Sequence, residues 1–502
     1  MTTKKVVLLP ENLNLEQLLE AHPPHVRLWI ENLKYIIGLI SELPAYDHRL
    51  FATDEADDVL YIPLYSKLLK YKIRDYQHYL RYLVAVGVLE CDKVYMVGFK
   101  SRAYRFTEPY RVKTVMEELT NPKLVRQTIL ENALDQLAHE QYPHLIRHFE
   151  GLEIDREQAQ HYIDQLYEQE SHSADHRVRQ KAASRYSAYQ TMINHLVLKT
   201  GKFRVDQSGH RFHSPLTNLK KELRNFLTFQ GEPLVGIDLS CSQPYFSTIL
   251  FRKEFYQPLG STETMDLKQL PSDIQCLLTE SIINAILVYT IDSNSNAPFP
   301  SPPCTLMCAD SEITPLTSSH KQSELVYVNE AESSLVDGVK TFTDRISNGQ
   351  FYEYLGQEVE RITGRKVKSR QHLKDMVFSV LFSRNDEKRP FIVERKHVFE
   401  QVFPLIAENL KLLKSEDHRT LALLLQSIEA EVFLNRIVAR ITQERPEVPL
   451  FSIHDCLGTT EQNAEYVKHT MIEELKRSIG VVPDLKTEVW IPEDIDYVIN
   501  AS

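Results

Sequence analysis

The chain has 502 residues, 42% of them hydrophobic and 25% charged, and a formal net charge of −11. This is ordinary globular composition for two to four domains, and no apolar run reaches the roughly 18 residues of a membrane span, Ile282–Tyr289 being the best. The N-terminus meets Pro10, Glu11 and Asn12 before any signal-like apolar core develops. The six cysteines show no paired spacing, so they read as reduced thiols of a cytoplasmic protein, and Cys304 and Cys308 lack the two further ligands that zinc would need. Net charge matters less than its clustering. Residues 361–396 hold 11 Lys/Arg against 4 acids, and residues 199–224 hold 7 against 2. Either run, taken alone, is equally a solvated face.

In chain order, residues 1–50 read as a short helical lead and residues 54–58 as an acidic break. A short helical piece with Tyr65, Leu68 and Leu69 follows. A longer helix from Arg74 to Val86 carries Tyr76, Leu80 and Leu83 at helical spacing, with Gly87 just past its end. Two alternating runs, Lys93–Val97 and Ala103–Phe106, are hinged at Gly98. Helix, helix and two-stranded wing is the order of a winged helix, with Lys67, Lys70, Lys72, Arg74 and Arg81 as phosphate partners; a small packing module with surface lysines is the alternative. Residues 113–198 read as continuous amphipathic helices, with Arg177, Arg179, Lys181 and Arg185 near their end. Residues 256–345 read as an insertion, because 292–303 is a Ser/Asn/Pro loop that suits neither helix nor central strand.

Three blocks carry chemistry. In Leu234-Val-Gly-Ile-Asp-Leu-Ser-Cys-Ser-Gln-Pro244 a short buried-strand pattern delivers Asp238 at its end. In Leu450-Phe-Ser-Ile-His-Asp-Cys-Leu-Gly458 a second apolar strand ends in His454-Asp455. Thr459 and Gln462 have capping-box spacing for the next helix, whose Ala464, Val467, Met471 and Leu475 share a face. Two carboxylates at two strand tips suit a site for two Mg²⁺ about 3.5–4 Å apart, with Mn²⁺ as a possible substitute. In the third block, Arg370, Lys374, Phe378 and Phe382 fall every four residues on one helical face, while Leu373, Val377, Val380 and Leu381 face the core. Cations at the N-terminal end of such a stripe suit a triphosphate, and the aromatics suit base and sugar.

The ordered set resembles motifs A, B and C of family A DNA polymerases and of the single-subunit RNA polymerases of phages and mitochondria. The first block and the His454-Asp455-Cys-Leu-Gly-Thr run are similar to the RNA polymerases, and the third block to the DNA polymerases. His210-Arg-Phe-His-Ser-Pro-Leu-Thr-Asn-Leu219 with Arg224 resembles the element ahead of motif A. Leu425-Gln-Ser-Ile-Glu-Ala-Glu431 resembles the Gln-containing helix before motif C.

The resemblance implies an α+β right-hand polymerase. Its palm comes from 199–255 and 421–502 and its fingers from 346–420. A helical thumb-like region spans 113–198, with the insertion at 256–345 and a winged-helix-like module at 51–112. It implies Asp238 and Asp455 as metal ligands, Arg370, Lys374, Phe378, Phe382 and Gln243 around the nucleotide, and Arg211, Asn218, Arg224, Gln426 and His454 on nucleic acid. The partners implied are nucleoside triphosphates and a DNA primer–template or RNA–DNA hybrid. Phe382-Ser383 stands where the family has Tyr-Gly, and Gln243 where DNA polymerases carry Glu, so the sugar preference stays open. No upstream acidic cluster suggests a proofreading exonuclease. A DNA polymerase of a phage, plasmid or other mobile element is the expectation; an RNA polymerase or primer-making enzyme, and a DNA-binding regulator with an inactive polymerase-like core, are the alternatives.

Overall fold

The computed structural model describes residues 5–47, 50, 60–92, 101–129, 133–258, 263–287, 290 and 337–492. The acidic break at 54–58, the run Lys93–Val97 with Gly98, the loop at 292–303 and Cys304 and Cys308 lie outside the described residues. The chain divides into two compact units. Unit 1 comprises Met1–Arg204, His213–Leu234 and Val489–Ser502; unit 2 comprises Val205–Phe212 and Val235–Glu488. Among the described residues no helix is long and apolar enough to cross a membrane.

Unit 1 opens on a strand, not on the expected helix. The apolar run at β1 (Lys5–Pro10) pairs antiparallel with β5 (Thr114–Leu119), from Lys5 opposite Leu119 to Pro10 opposite Thr114. Its partner lies about a hundred residues away, so no local pattern announces the pairing. After α1 (Leu15–Ala21), capped by Asn14, α2 (Ile30–Glu42) packs closely on β1. A Cβ at Gly38 would stand 2.7 Å from Val7 Cβ, so glycine is what allows that approach.

Next come β2 (Ile62–Pro63), α3 (Ser66–Lys72), α4 (Tyr76–Ala85), β3 (Leu89–Cys91) and β4 (Ala103–Phe106). The three strands form an antiparallel sheet in the order β2–β4–β3. Gly87 takes φ 75 just past α4, as a helix stop requires. The core under this sheet is shared: Val7 and Leu9 of β1 and Leu33, Ile36 and Ile40 of α2 pack with Leu69, Leu80, Leu83, Leu89 and Tyr104.

The stretch read as continuous helix is broken by strands. After β5 come α5 (Pro122–Ile129), β6 (Leu152–Ile154), α6 (Arg156–Ser171) and α7 (His176–Val197). Three of its basic residues are spent locally. Arg185 pairs with Glu170 at 2.6 Å and Arg177 with Asp175 at 3.0 Å, while Arg179 donates to the carbonyl of Ala174. The tiny pair β7 (Arg204–Val205) and β8 (Phe212–His213) then forms. In unit 1, β9 (Leu227–Phe229) pairs with β6 and with the first residues of β10 (Glu232–Leu239).

In unit 2 the rest of β10 lies beside β12 (Cys456–Thr460), which forms a hairpin with β11 (Phe451–Ile453); β13 (Leu485–Trp490) also pairs with β10. Helices supply the remainder: α8 (Ser242–Ser247), α9 (Glu280–Leu287), α10 (Phe351–Thr363), α11 (Arg370–Phe382), α12 (Pro390–Val402), α13 (Pro404–Leu413), α14 (Thr420–Ala430) and α15 (Glu461–Ile479). The cap of α15 sits one residue later than its spacing suggests. Thr460 is the N-cap, and its hydroxyl accepts from Asn463 at 2.8 Å. Val467, Met471 and Leu475 are fully buried, as their spacing requires.

Lys414 is buried at the end of α11, where its Nζ donates to the carbonyls of Val380 and Ser383. Burial, with Lys396 and Lys411 adding repulsion, pulls its pKa down to about 7. The unfolded chain therefore holds more protons between pH 7 and the ordinary lysine value. The stability contributed is present at high pH and is lost as pH falls toward 7. Wild type should gain stability from pH 7 to 9 relative to Lys414→Met, at a slope of up to about 1.4 kcal/mol per pH unit. Denaturant midpoints across that range measure it; parallel curves for the two proteins would disprove it.

Candidate active site

Asp238 ends β10. Leu234, Val235 and Ile237 are buried, while Asp238 is exposed. Asp455 sits in the two-residue turn between Ile453 and Cys456, which pair directly. Its neighbour His454 has φ 56, a left-handed conformation that costs a histidine roughly 1–3 kcal/mol and that clusters at functional sites. The two aspartates are neighbours through the backbone: the Leu239 N–H donates to the Asp455 carbonyl at 3.1 Å, and the next amide, Ser240, donates to the Asp484 carbonyl at 2.9 Å.

Beneath Asp455 lies a carboxylate that the three motifs do not include. Glu429 of α14 is 2% exposed, and its Oε2 accepts from Arg211 Nη2 and from Gln243 Nε2, each at 2.8 Å. Burial pushes its carboxyl up to about 7; Arg211 pulls it back, and the Asp455 charge raises it further. Its Oε1, the Gln243 Oε1 and the Arg211 Nε are buried with no hydrogen-bond partner among the described residues. The sequence did carry a signal for it: Glu429 interrupts an otherwise apolar helical face between Leu425 and Val432.

Arg211 reaches this network from a loop built by one side chain. Asp206 accepts from the amides of Ser208, Gly209 and Arg211. Gly209 in turn lies against Gln426, where a Cβ would stand 2.5 Å from Oε1, so only glycine fits. Thus Arg211, Gln243, Gln426, Glu429 and Asp455 form one neighbourhood.

The stripe on α11 has the expected two faces. Leu373, Val377, Val380 and Leu381 are buried, whereas Phe378 is 42% exposed and its ring lies 5.7 Å from that of Phe382. Ser369 caps the helix on the His372 amide. Arg370 sits 5.2 Å from the centre of the Tyr352 ring, next to Glu353 at 3.4 Å, and Tyr352 hydrogen-bonds Cys241. Cys241 has φ 54 at the exit of β10, and burial raises its thiol to about 11 while Arg370 and Lys486 oppose that rise. Its surroundings bring the cation at the start of α11 toward the chain that leaves Asp238.

In the basic run at 361–396, Arg370 has Glu353 beside it and Lys396 donates to the Arg384 carbonyl at 2.7 Å. Arg361, Arg365, Arg384, Arg389 and Arg395 pair with nearby acids, while Lys366, Lys368, Lys374 and Lys388 make no salt bridge among the described residues. Asn218 and Arg224 belong to unit 1, where Arg224 lies 5.8 Å from the centre of the Trp490 ring.

Among the described residues no group of three or more His, Cys, Asp and Glu could cage a metal.

No protein-family model matches the chain, and no curated protein matches its sequence. Solved structures do align with it. The POL domain of Pol1 from M. smegmatis, in complex with DNA primer–template and dNTP, matches at 11% identity and a TM-score of 0.25. The alignment covers 66% of this chain and 55% of that one, so the chain spans little more than half the length of that domain. The likeness is a distant one.

Proposed function

We propose that the chain is a nucleotidyltransferase, a template-directed nucleic-acid polymerase whose metal-binding carboxylates are Asp238 and Asp455, with a DNA polymerase as the expected form. The observation that carries this is the Leu239–Asp455 backbone hydrogen bond, which sets two strand-tip aspartates, far apart in sequence, side by side. A bound pair of Mg²⁺ would lower the barrier for the attacking hydroxyl and neutralise charge on the leaving pyrophosphate. The chain's own groups would do the rest. Arg370 and Lys374 would hold the triphosphate, Phe378 and Phe382 would flank the base and sugar, and the Arg211–Glu429–Gln243 network would keep the floor of the site rigid. Arg211, Gln426 and His454 would meet the nucleic acid, as would Asn218 and Arg224.

The test is extension of a primed DNA template in Mg²⁺, with the four deoxynucleotides in one arm and the four ribonucleotides in the other. Template-directed extension with either set supports the assignment, and the ratio between sets decides the sugar. Absence of extension in both arms, and again with Mn²⁺, would overturn it. In the same assay Lys374→Ala should cut the efficiency of nucleotide use by about two orders of magnitude, because a cation is lost where charge develops, while duplex affinity stays unchanged. Normal nucleotide kinetics with weakened DNA binding would instead make Lys374 a backbone contact.

A further inference from the structure

Among the described residues, unit 1 carries cations that pair with no acid. Arg27, Lys67, Lys70, Arg74, Arg81 and Lys123 form no salt bridge among the described residues. Three of them, Arg27, Arg74 and Lys123, line one cleft of about 530 Å³ together with His78, Trp29 and Asp75. The cleft is a built feature. The Tyr79 hydroxyl, on a side chain 4% exposed, accepts from the Trp29 amide at 3.2 Å and from Asn32 Nδ2 at 2.9 Å, which pins the start of α2 to α4. On the far side, Glu31 accepts from the amides of Thr120 and Asn121 and holds the start of α5. Trp29 itself stays 56% exposed, with the Arg27 guanidinium 4.3 Å from its ring centre. More than half of the indole is left to solvent, beside the cations that line the cleft.

We propose that this cleft binds a single-stranded nucleic-acid segment, with an unpaired base stacked on Trp29 and backbone phosphates on Arg27, Arg74 and Lys123. The phosphates meet the excess positive charge. The exposed ring selects the single strand, because only a base freed from pairing offers a face to an aromatic side chain. None of these residues is among those assigned above to the proposed polymerase chemistry.

Trp29 and Trp490 are the chain's 2 tryptophans, so in the full chain carrying Trp490→Phe the emission reports Trp29 alone. A short oligothymidylate should quench that emission, with a midpoint that moves to higher concentration as salt rises. Doubling Arg74→Ala with Lys123→Ala should lower the salt slope by about 1.4, at roughly 0.7 for each single-strand phosphate no longer neutralised. In the chain that keeps Trp490, Trp29→Ala should weaken oligonucleotide binding by fluorescence anisotropy about tenfold, and Trp29→Phe should restore most of it. Asp455→Asn should leave the quenching unchanged, which separates this surface from the catalytic proposal. Emission that stays constant at an oligonucleotide concentration saturating the anisotropy signal would overturn the assignment, as would wild-type affinity in Trp29→Ala. A blue shift with vesicles of phosphatidylserine and phosphatidylcholine, without any response to oligonucleotide, would also overturn it in favour of a lipid surface.

Discussion

Asp455→Asn should abolish nucleotide addition, by at least three orders of magnitude, while thermal stability and nucleic-acid affinity stay close to wild type. The substitution keeps the size and the backbone of the residue, so the Leu239 N–H still has its carbonyl acceptor and the turn between β11 and β12 still closes. What is lost is the negative charge that attracts a divalent cation; an amide is a weak ligand for hard magnesium. Asp238→Asn should behave alike, and the double variant should be no worse than either single one, since two parts of one constellation fail together. Primer extension under single-turnover conditions measures the effect. Asp455→Asn with wild-type extension rates would remove this residue from the chemistry.

Glu429→Ala should destabilise unit 2 by about 3–5 kcal/mol and suppress activity with it. Removing one partner of a buried, hydrogen-bonded ion pair leaves the other charge uncompensated, and that is the expensive direction. Both Arg211 Nη2 and Gln243 Nε2 end on the same Glu429 oxygen, so a single truncation orphans two donors. Glu429→Gln should be milder than Glu429→Ala, because the amide oxygen still accepts from Arg211 and Gln243 and only the counter-charge of Arg211 is lost. The pair of variants separates two roles: if Glu429→Gln folds normally yet extends primers poorly, the charge serves catalysis, and if both measures recover together, Glu429 is structural support. Chemical denaturation and extension rates on the same preparations give the answer. A loss of less than about 1 kcal/mol in Glu429→Ala would show that the network contributes little.

What the amino-acid sequence determined by itself was local. The apolar run before Asp238, the one before His454-Asp455, the two faces of α11 and the helix-stop role of Gly87 all follow from side-chain period, strand alternation and backbone preference, which act over a few residues. Tertiary structure alone decided three things. β1 is a strand because β5, far along the chain, supplies the partner that its apolar, Val-containing run needs, and the fold buries that run. Asp238 and Asp455 became neighbours only when β10 came to lie beside β12. Glu429 acquired its shifted carboxyl only when the fold buried it against Arg211, Gln243 and the field of Asp455, because desolvation and Coulomb energies depend on distances in space that no spacing along the chain encodes.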